Sequence, residues 1–391
     1  MKHWRCIVLI HKFKEIVKGS KILYSLYYYI MSFGINCLKK ILKSDDKLIL
    51  FVSYGGRHYS DSPRVIYESM RKDERFKEYR LVWAFVNPEM HNSVKDKIKI
   101  DTLKYYITAL KARCWVTNVM VERALNFTGI NTYYFFTTHG ILVKCDGPDL
   151  KQYKFSSLAP MRYDCCLAQS EYEKKIEMRM FGLSEDKIHI VGYPKDDILV
   201  NTSSEQRQLI RKKLNIPDNK KAILYAPTFR EDTDMRETFV MNIDRWKEML
   251  SDEYVLLYRA HPVILAQQKK NDDFFYDVTS YEVVEDLMIA SDILISDYSG
   301  IIFDYCIMHK PIYLWTYDYD EYQNRRGLYF DIRKELPSSG KEDEVIDMVK
   351  NHNWDSDLKE VILFQEKYET VYGEGTKNSI ELIYENIGGN H

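Results

Sequence analysis

Short apolar runs recur along the chain, each ending on polar or turn-forming residues before a stretch with helical spacing begins. Residues 48–53 (Leu-Ile-Leu-Phe-Val-Ser) are the first such run. A turn-rich segment follows, and a helix is predicted from about Pro63 with Ser62 as its cap. Further strands are predicted at 79–85, 98–100, 114–117, 133–137, 164–169 and 187–192, with helical stretches near 93–97 and at 102–112. After a polar joint at 201–205, a charged helix at 206–214 leads into strands at 221–225, 254–258, 293–295 and 312–314. Unbroken apolar runs fit strands buried on both faces, and strands alternating with helices imply parallel βαβ units. The segment 290–311 condenses the pattern. An apolar strand gives way to Ser296 through Gly300, then Ile301, Ile302, Tyr305 and Met308 recur at helical spacing until Pro311 stops the helix. Such a unit aims backbone N–H groups and a positive helix end above the sheet, a place to hold phosphate. A capped core helix without a ligand fits the same residues.

The amino end departs from this rhythm. Among residues 1–43 the only acid is Glu15, against nine lysines and arginines, and residues 22–38 are uncharged and rich in tyrosine. A bilayer span needs about 20 mostly apolar residues, and this stretch is shorter and carries Ser25, Ser32, Gly34 and Asn36. Helices lying on an anionic cytoplasmic leaflet are expected, with packing on the first domain as the alternative. No secretory signal is expected, since no small-residue cleavage site follows the apolar stretch.

At 391 residues the chain fits two domains plus this extension, divided as 1–45, 46–200 and 201–391. A net charge of −2 gives no field that would favour nucleic acid. The seven cysteines form no C-x-x-C pair, which points to a reduced compartment and no zinc site.

In parallel sheets chemistry gathers at the carboxyl ends of strands. One end carries Thr137-Thr138-His139-Gly140, where His139 is a candidate general base and Gly140 would open room for a ligand. A hydrogen-bonded structural histidine is the plainer reading, and His58 stands at a similar position. In the second half, three ends deliver Thr228 and Arg230, then Arg259 and His261, then Asp297, Ser299 and Gly300. Arginine is a forked, permanent cation and Ser299 opens a helix, so the set suits a nucleotide diphosphate. Taken singly, Arg230 and Arg259 also read as ion-pair residues. Neither a Walker A sequence nor G-x-G-x-x-G after a strand occurs.

Tyr59-Ser60-Asp61-Ser62-Pro63, His139-Gly140, Gly192-Tyr193-Pro194, Ala226-Pro227-Thr228-Phe229-Arg230, His261-Pro262 and the block 296–331 stand in an order that resembles the CDP-glycerol glycerophosphotransferase family. The resemblance implies an α/β, GT-B-like fold: two Rossmann-like domains facing a cleft, with carboxyl-terminal helices packing back on the first. It implies a peripheral enzyme on the cytoplasmic membrane face, taking a CDP-alditol donor and a lipid-linked or polyol-phosphate acceptor in teichoic-acid-like or capsular polymer synthesis. His139 and His261 would be the catalytic histidines, His139 as the base on the acceptor hydroxyl. Gly140, Thr228, Arg230, Asp297, Ser299, Gly300 and Glu321 would bind substrate. No cofactor and no metal are expected: Asp318 and Asp320 have Asp-x-Asp spacing but belong to the family's acidic run. A homo-oligomer is compatible. Where the family shows Trp-His-Gly-Thr-Pro, this chain reads Thr138-His139-Gly140-Ile141-Leu142, which alters the acceptor wall. The alternative reading is a GT-B glycosyltransferase using a nucleotide sugar, and beyond it a membrane-bound partner with a degenerate site.

Overall fold

The structure, a computed structural model, describes residues 20–140, 143–150, 161–228, 230, 240–260 and 271–388. The first domain opens with β1 (Asp45–Val52), α2 (Asp61–Met70), β2 (Arg80–Phe85), β3 (Lys97–Lys99), α3 (Leu103–Lys111) and β4 (Ala112–Thr117), preceded by α1 (Lys21–Ile41). It continues with β5 (Tyr133–Phe136), β6 (Cys165–Ala168), α4 (Glu171–Phe181) and β7 (Ile188–Ile190). The second runs through α5 (Asp197–Asn201), α6 (Ser204–Lys213), β8 (Lys221–Tyr225), α7 (Ile243–Leu250), β9 (Tyr254–Tyr258), β10 (Phe275–Asp277) and α8 (Val284–Ala290). Then come β11 (Ile293–Ser296), α9 (Ile301–Cys306), β12 (Ile312–Trp315), α10 (Tyr319–Arg325), β13 (Ser338–Ser339), α11 (Glu342–Lys350), α12 (Trp354–Tyr368) and α13 (Gly375–Ile387).

Each domain is one parallel sheet. The strand orders are β3-β2-β1-β4-β5-β6-β7 and β10-β9-β8-β11-β12-β13, so in both the order reverses beside the first strand. Leu48 through Val52 are almost wholly buried, alternate side chains entering the two core layers on either face of the sheet. At about 1.5–3 kcal/mol for each large apolar side chain, this strand anchors the domain. β8 and β11 do the same in the second domain.

The structure differs from the pattern-based expectation in places. No helix forms at 93–97, where too few residues separate the flanking elements to nucleate one; Val94 plugs the core and β3 follows at once. The cap position of α2 is Ser60, not Ser62. Ser62 lies inside the helix, fully buried, and its hydroxyl accepts from the Lys195 amide at 3.4 Å. The segment 290–311 keeps its strand, but its helix ends at Cys306, and His309 takes a positive φ of 50° before Pro311. At the joint, Ser203 and Gln206 form a reciprocal capping box on α6.

α1 packs one face on the first domain through Tyr28 and Ile35, while Asn36 donates to the Asn126 carbonyl at 2.8 Å and Lys39 to Thr128 at 2.6 Å. Its other face is bare: Ile22, Phe33 and Ile41 are 81%, 73% and 77% exposed. No described helix is long and apolar enough to cross a membrane. The residues before Ser20 lie outside the described part.

Three features join the domains. Chain crossings meet where Asp197 accepts from the amides of Gly375 and Thr376 at 2.8 and 2.7 Å, starting α13, which returns to the first domain and buries Ile380 and Ile383 there. Lys195, 5% exposed, lies 3.0 Å from Asp196 and 2.6 Å from Asp304 on α9. The segment after β5 pairs with the segment after α10: Cys145 donates to the Gly327 carbonyl at 3.0 Å and Tyr329 to that of Val143 at 2.8 Å. Val143 is counted in the second domain's core.

Candidate active site

In the first domain the sheet order reverses between β1 and β4, and the residues just past these strands and past β5 meet there. Asn118, fully buried, accepts the Tyr54 amide on its side chain at 2.8 Å. Its backbone carbonyl lies 3.4 Å from Nδ1 of His139. A carbonyl only accepts, so Nδ1 carries the proton and Nε2 is left as the basic nitrogen. The His139 ring is exposed, with the Tyr54 ring 6.2 Å away and His58 on that ring's other neighbour contact at 5.6 Å. The shoulder below is rigid: Thr138 has a positive φ of 52°, and its hydroxyl donates to Tyr193 at 2.5 Å, which in turn donates to the buried Glu173. Gly140 also meets a backbone requirement. A Cβ there would meet nothing within 4 Å, but φ is +128°, a conformation that side-chain-bearing residues rarely adopt.

In the second domain the reversal falls between β8 and β11. Thr228 donates its amide to Asp297 at 2.8 Å, and Tyr298 does so to the same oxygen at 2.6 Å. Arg230 is buried between two carboxylates: Nη2 to Asp297 at 2.9 Å, Nε and Nη2 to Asp318 at 2.7 and 3.0 Å. Its Nη1 donates to the Thr228 carbonyl at 2.6 Å, and the rings of Tyr298, Tyr317 and Tyr322 surround it. Ser299 and Gly300 are partly exposed at the rim, where α9 begins. Thr228 keeps a buried hydroxyl without a partner.

Glu321 is exposed on α10, paired with Arg325 at 2.9 Å, and lines a cleft of about 860 Å³ with Asp318, Asp320, Asp331, Arg333 and Lys334. That cleft lies past β12 and β13, to one side of the β8/β11 reversal. His261 lies outside the described residues. Among the described residues no cluster of three or more His, Cys, Asp or Glu is placed to hold a metal ion. Asn118 and Tyr54 are site neighbours that residue type alone did not single out, and Asp318, read as part of the acidic run, is the second carboxylate on Arg230. Asn118 follows the β4 run directly, and its place beside the sheet reversal is the signal that would have found it.

Burial dominates the electrostatics between the domains. It pushes Glu173, Asp196, Glu285, Asp304 and Glu369 above the usual carboxyl range, while the neighbouring acids hold Lys195 firmly charged. Both side-chain oxygens of Glu369 are buried without a partner, consistent with a protonated acid.

Two Rossmann-like sheets whose reversal points carry a histidine on one side and an arginine–carboxylate cluster on the other define the two-domain class to which GT-B nucleotide-using enzymes belong. Within that class, the chain belongs to the CDP-Glycerol:Poly(glycerophosphate) glycerophosphotransferase family, whose model it matches over residues 35–387. It is 32% identical over 327 residues to the teichoic acid glycerol-phosphate transferase of Staphylococcus aureus, covering 78% of this chain and 83% of that one. It is 34% identical over 314 residues to the teichoic acid poly(glycerol phosphate) polymerase of Staphylococcus epidermidis, covering 74% of this chain but only 43% of that longer protein. The solved wall teichoic acid polymerase TagF superposes with a TM-score of 0.81 at 28% identity, over 95% of this chain and 98% of that one. A putative UDP-N-acetylglucosamine 2-epimerase of Listeria monocytogenes, 12% identical with a TM-score of 0.54 over 88% of this chain and 98% of that one, shares the fold alone.

Proposed function

We propose that the chain transfers an alditol phosphate, glycerol phosphate first, from a CDP-alditol to a hydroxyl of a lipid-linked or polyol-phosphate acceptor, in making a teichoic-acid-like or capsular surface polymer. The observation that carries this reading is the pairing of residues 143–145 with 327–329. It ties the segment that follows His139 to the donor-side domain, which supports a base and a donor site that face each other. The family and the relatives support the donor class, and TagF has been soaked with CDPG.

The acceptor oxygen attacks the alditol-linked phosphorus, its proton passes to Nε2 of His139, and the bond to CMP breaks with the electron pair leaving on CMP. Such a transfer depends on positioning and on charge stabilisation of the phosphates. Thr228, Asp297, Ser299, Gly300 and the Arg230 cluster shape the donor side, and His261 is assigned to the phosphates with them. Glu321 is assigned to the outer donor cleft. The bare apolar face of α1, with Lys39 and Lys40 in its last turn, suits an anionic leaflet and a peripheral station at the cytoplasmic membrane face.

The test is CMP release from CDP-glycerol by the full chain with a lipid-linked glycerol-phosphate acceptor, in excess chelator. Turnover with a phosphodiester product is expected, and His139→Ala should lower it by roughly 10²–10⁴-fold. An inert CDP-glycerol alongside glycosidic product from a nucleotide sugar would sink the reading. Turnover lost to chelator and restored by magnesium would refute the metal-free mechanism.

A further inference from the structure

The second domain presents two arginines at adjacent strand ends, and their surroundings are opposite. Arg230 is committed. Its guanidinium spends its hydrogen bonds on Asp297, Asp318 and the Thr228 carbonyl. One cation between two carboxylates carries a formal charge of −1, which repels a diphosphate rather than attracting it. An anion could take this arginine only by leaving a buried carboxylate unpaired.

Arg259 follows β9, whose Tyr258 pairs with Tyr225 of β8, and its amide donates to the Tyr225 carbonyl at 2.9 Å. Its base is therefore as fixed as that of Arg230. Among the described residues, its guanidinium makes a single hydrogen bond, from Nη1 to the Tyr281 carbonyl at 2.5 Å, and no carboxylate lies at ion-pair distance. The side chain is partly buried, and burial weakens its hold on the proton, opposed by the more distant Glu285 and Tyr54. Tyr54 belongs to the first domain and is the residue whose ring neighbours both His139 and His58. Burial depresses His58, and the charges of Arg57 and, to a smaller extent, Arg259 add to it. Among the described residues this half-buried guanidinium at the end of β9 thus keeps N–H groups with no protein acceptor, and its charge is felt by Tyr54 and His58 of the first domain.

We propose that Arg259 is the guanidinium that binds the diphosphate of the nucleotide donor, and that Arg230 is a positioning residue that holds Asp297 and Asp318. This rests on the donor reading above. A forked cation that no described carboxylate pairs meets the geometry of a diphosphate, and the ligand supplies the counter-charge.

The experiment measures binding of CDP, CMP and cytidine to the full chain. Arg259→Met should weaken CDP by roughly 10- to 100-fold, CMP less and cytidine not at all, with the melting temperature held. Arg259→Lys keeps the charge without the fork and should fall between, which also covers a poorly folded methionine variant. Arg230→Met should instead lower the melting temperature. Unchanged CDP affinity in either Arg259 variant overturns the proposal, and so does an equal loss for cytidine. A wild-type chain that ignores CDP but binds UDP overturns the cytidine donor alone, and the same variants are then read on UDP. Binding of no nucleoside diphosphate overturns both.

Discussion

Replacing Lys195 with methionine removes the ammonium that joins Asp196, in the first domain's last turn, to Asp304 on α9 of the second. Lys195 is 5% exposed and Asp196 fully buried, so water does not take over. Breaking a buried pair from one side costs about 3–5 kcal/mol. The acids have one escape, which is to take up protons. At pH 7 that costs about 1.4 kcal/mol for each unit by which the pH exceeds the ordinary carboxyl value, so about 4 kcal/mol per group is the ceiling. Burial already raises both carboxyls in the folded protein, and without the ammonium, which opposes that rise, they titrate higher still. The folded variant then binds more protons, and its stability falls as pH rises through the folded values. Urea unfolding followed by tryptophan fluorescence should therefore show a loss of about 3–5 kcal/mol at pH 7.5, much reduced at pH 5. Adding Asp304→Asn should recover part of it at pH 7.5. A loss of equal size at both pH values, or no recovery in the double variant, would refute the reasoning.

Glu122 offers a smaller pH effect with the same sign. Burial pushes its carboxyl from 4.5 to about 7, while it accepts from the Tyr134 hydroxyl at 2.9 Å. The native state thus loses up to about 3 kcal/mol as pH rises from 4.5 through 7. Glu122→Gln should match the wild type at pH 5 and unfold at higher urea at pH 8; identical midpoints at both would be the contrary result. On α1, Ile30→Glu with Phe33→Glu changes exposed residues and leaves Tyr28 and Ile35 packed. Binding to phosphatidylglycerol vesicles should drop roughly tenfold or more with the fold intact, from about 1.5–3 kcal/mol of burial per side chain. Unchanged vesicle binding would exclude this face as the contact.

The central strands were legible because burial on both faces leaves an unbroken apolar run, as at Leu48 through Val52 and Ile293 through Ile295. The edge strands β10 and β13 are too short to carry a pattern, and α4 hid for another reason. Its inner face buries Glu173 and Glu177, charges that a hydrophobic stripe search counts as outward-facing. The site was legible as residue types at strand ends but not as partnerships. Nothing near Arg230 in sequence announces that Asp297 and Asp318, from the ends of β11 and β12, will occupy it. Asn118 likewise meets His139 only because β4 and β5 pair. Gly140 was read as space for a ligand, and its backbone angle is a second constraint that the sequence did not announce.

The pairing of residues 143–145 with 327–329 also sets a mechanical scale for the enzyme. The chain crossings near Asp197 and Gly375, with the neighbouring Lys195–Asp304 pair, make the pivot, so this further tie decides how far the lobes swing. To let go, it gives up two main-chain hydrogen bonds, parts Arg326 from Cys145 and Asp146 and Tyr329 from Asp149, and withdraws Val143 from the far core, at least a few kcal/mol in all. That gap leaves the released form at roughly 1% or less of molecules. Most copies would then meet nucleotide with the lobes already latched, and the rare unlatching, rather than diffusion, would set the pace for any cargo too bulky to slip in at the side.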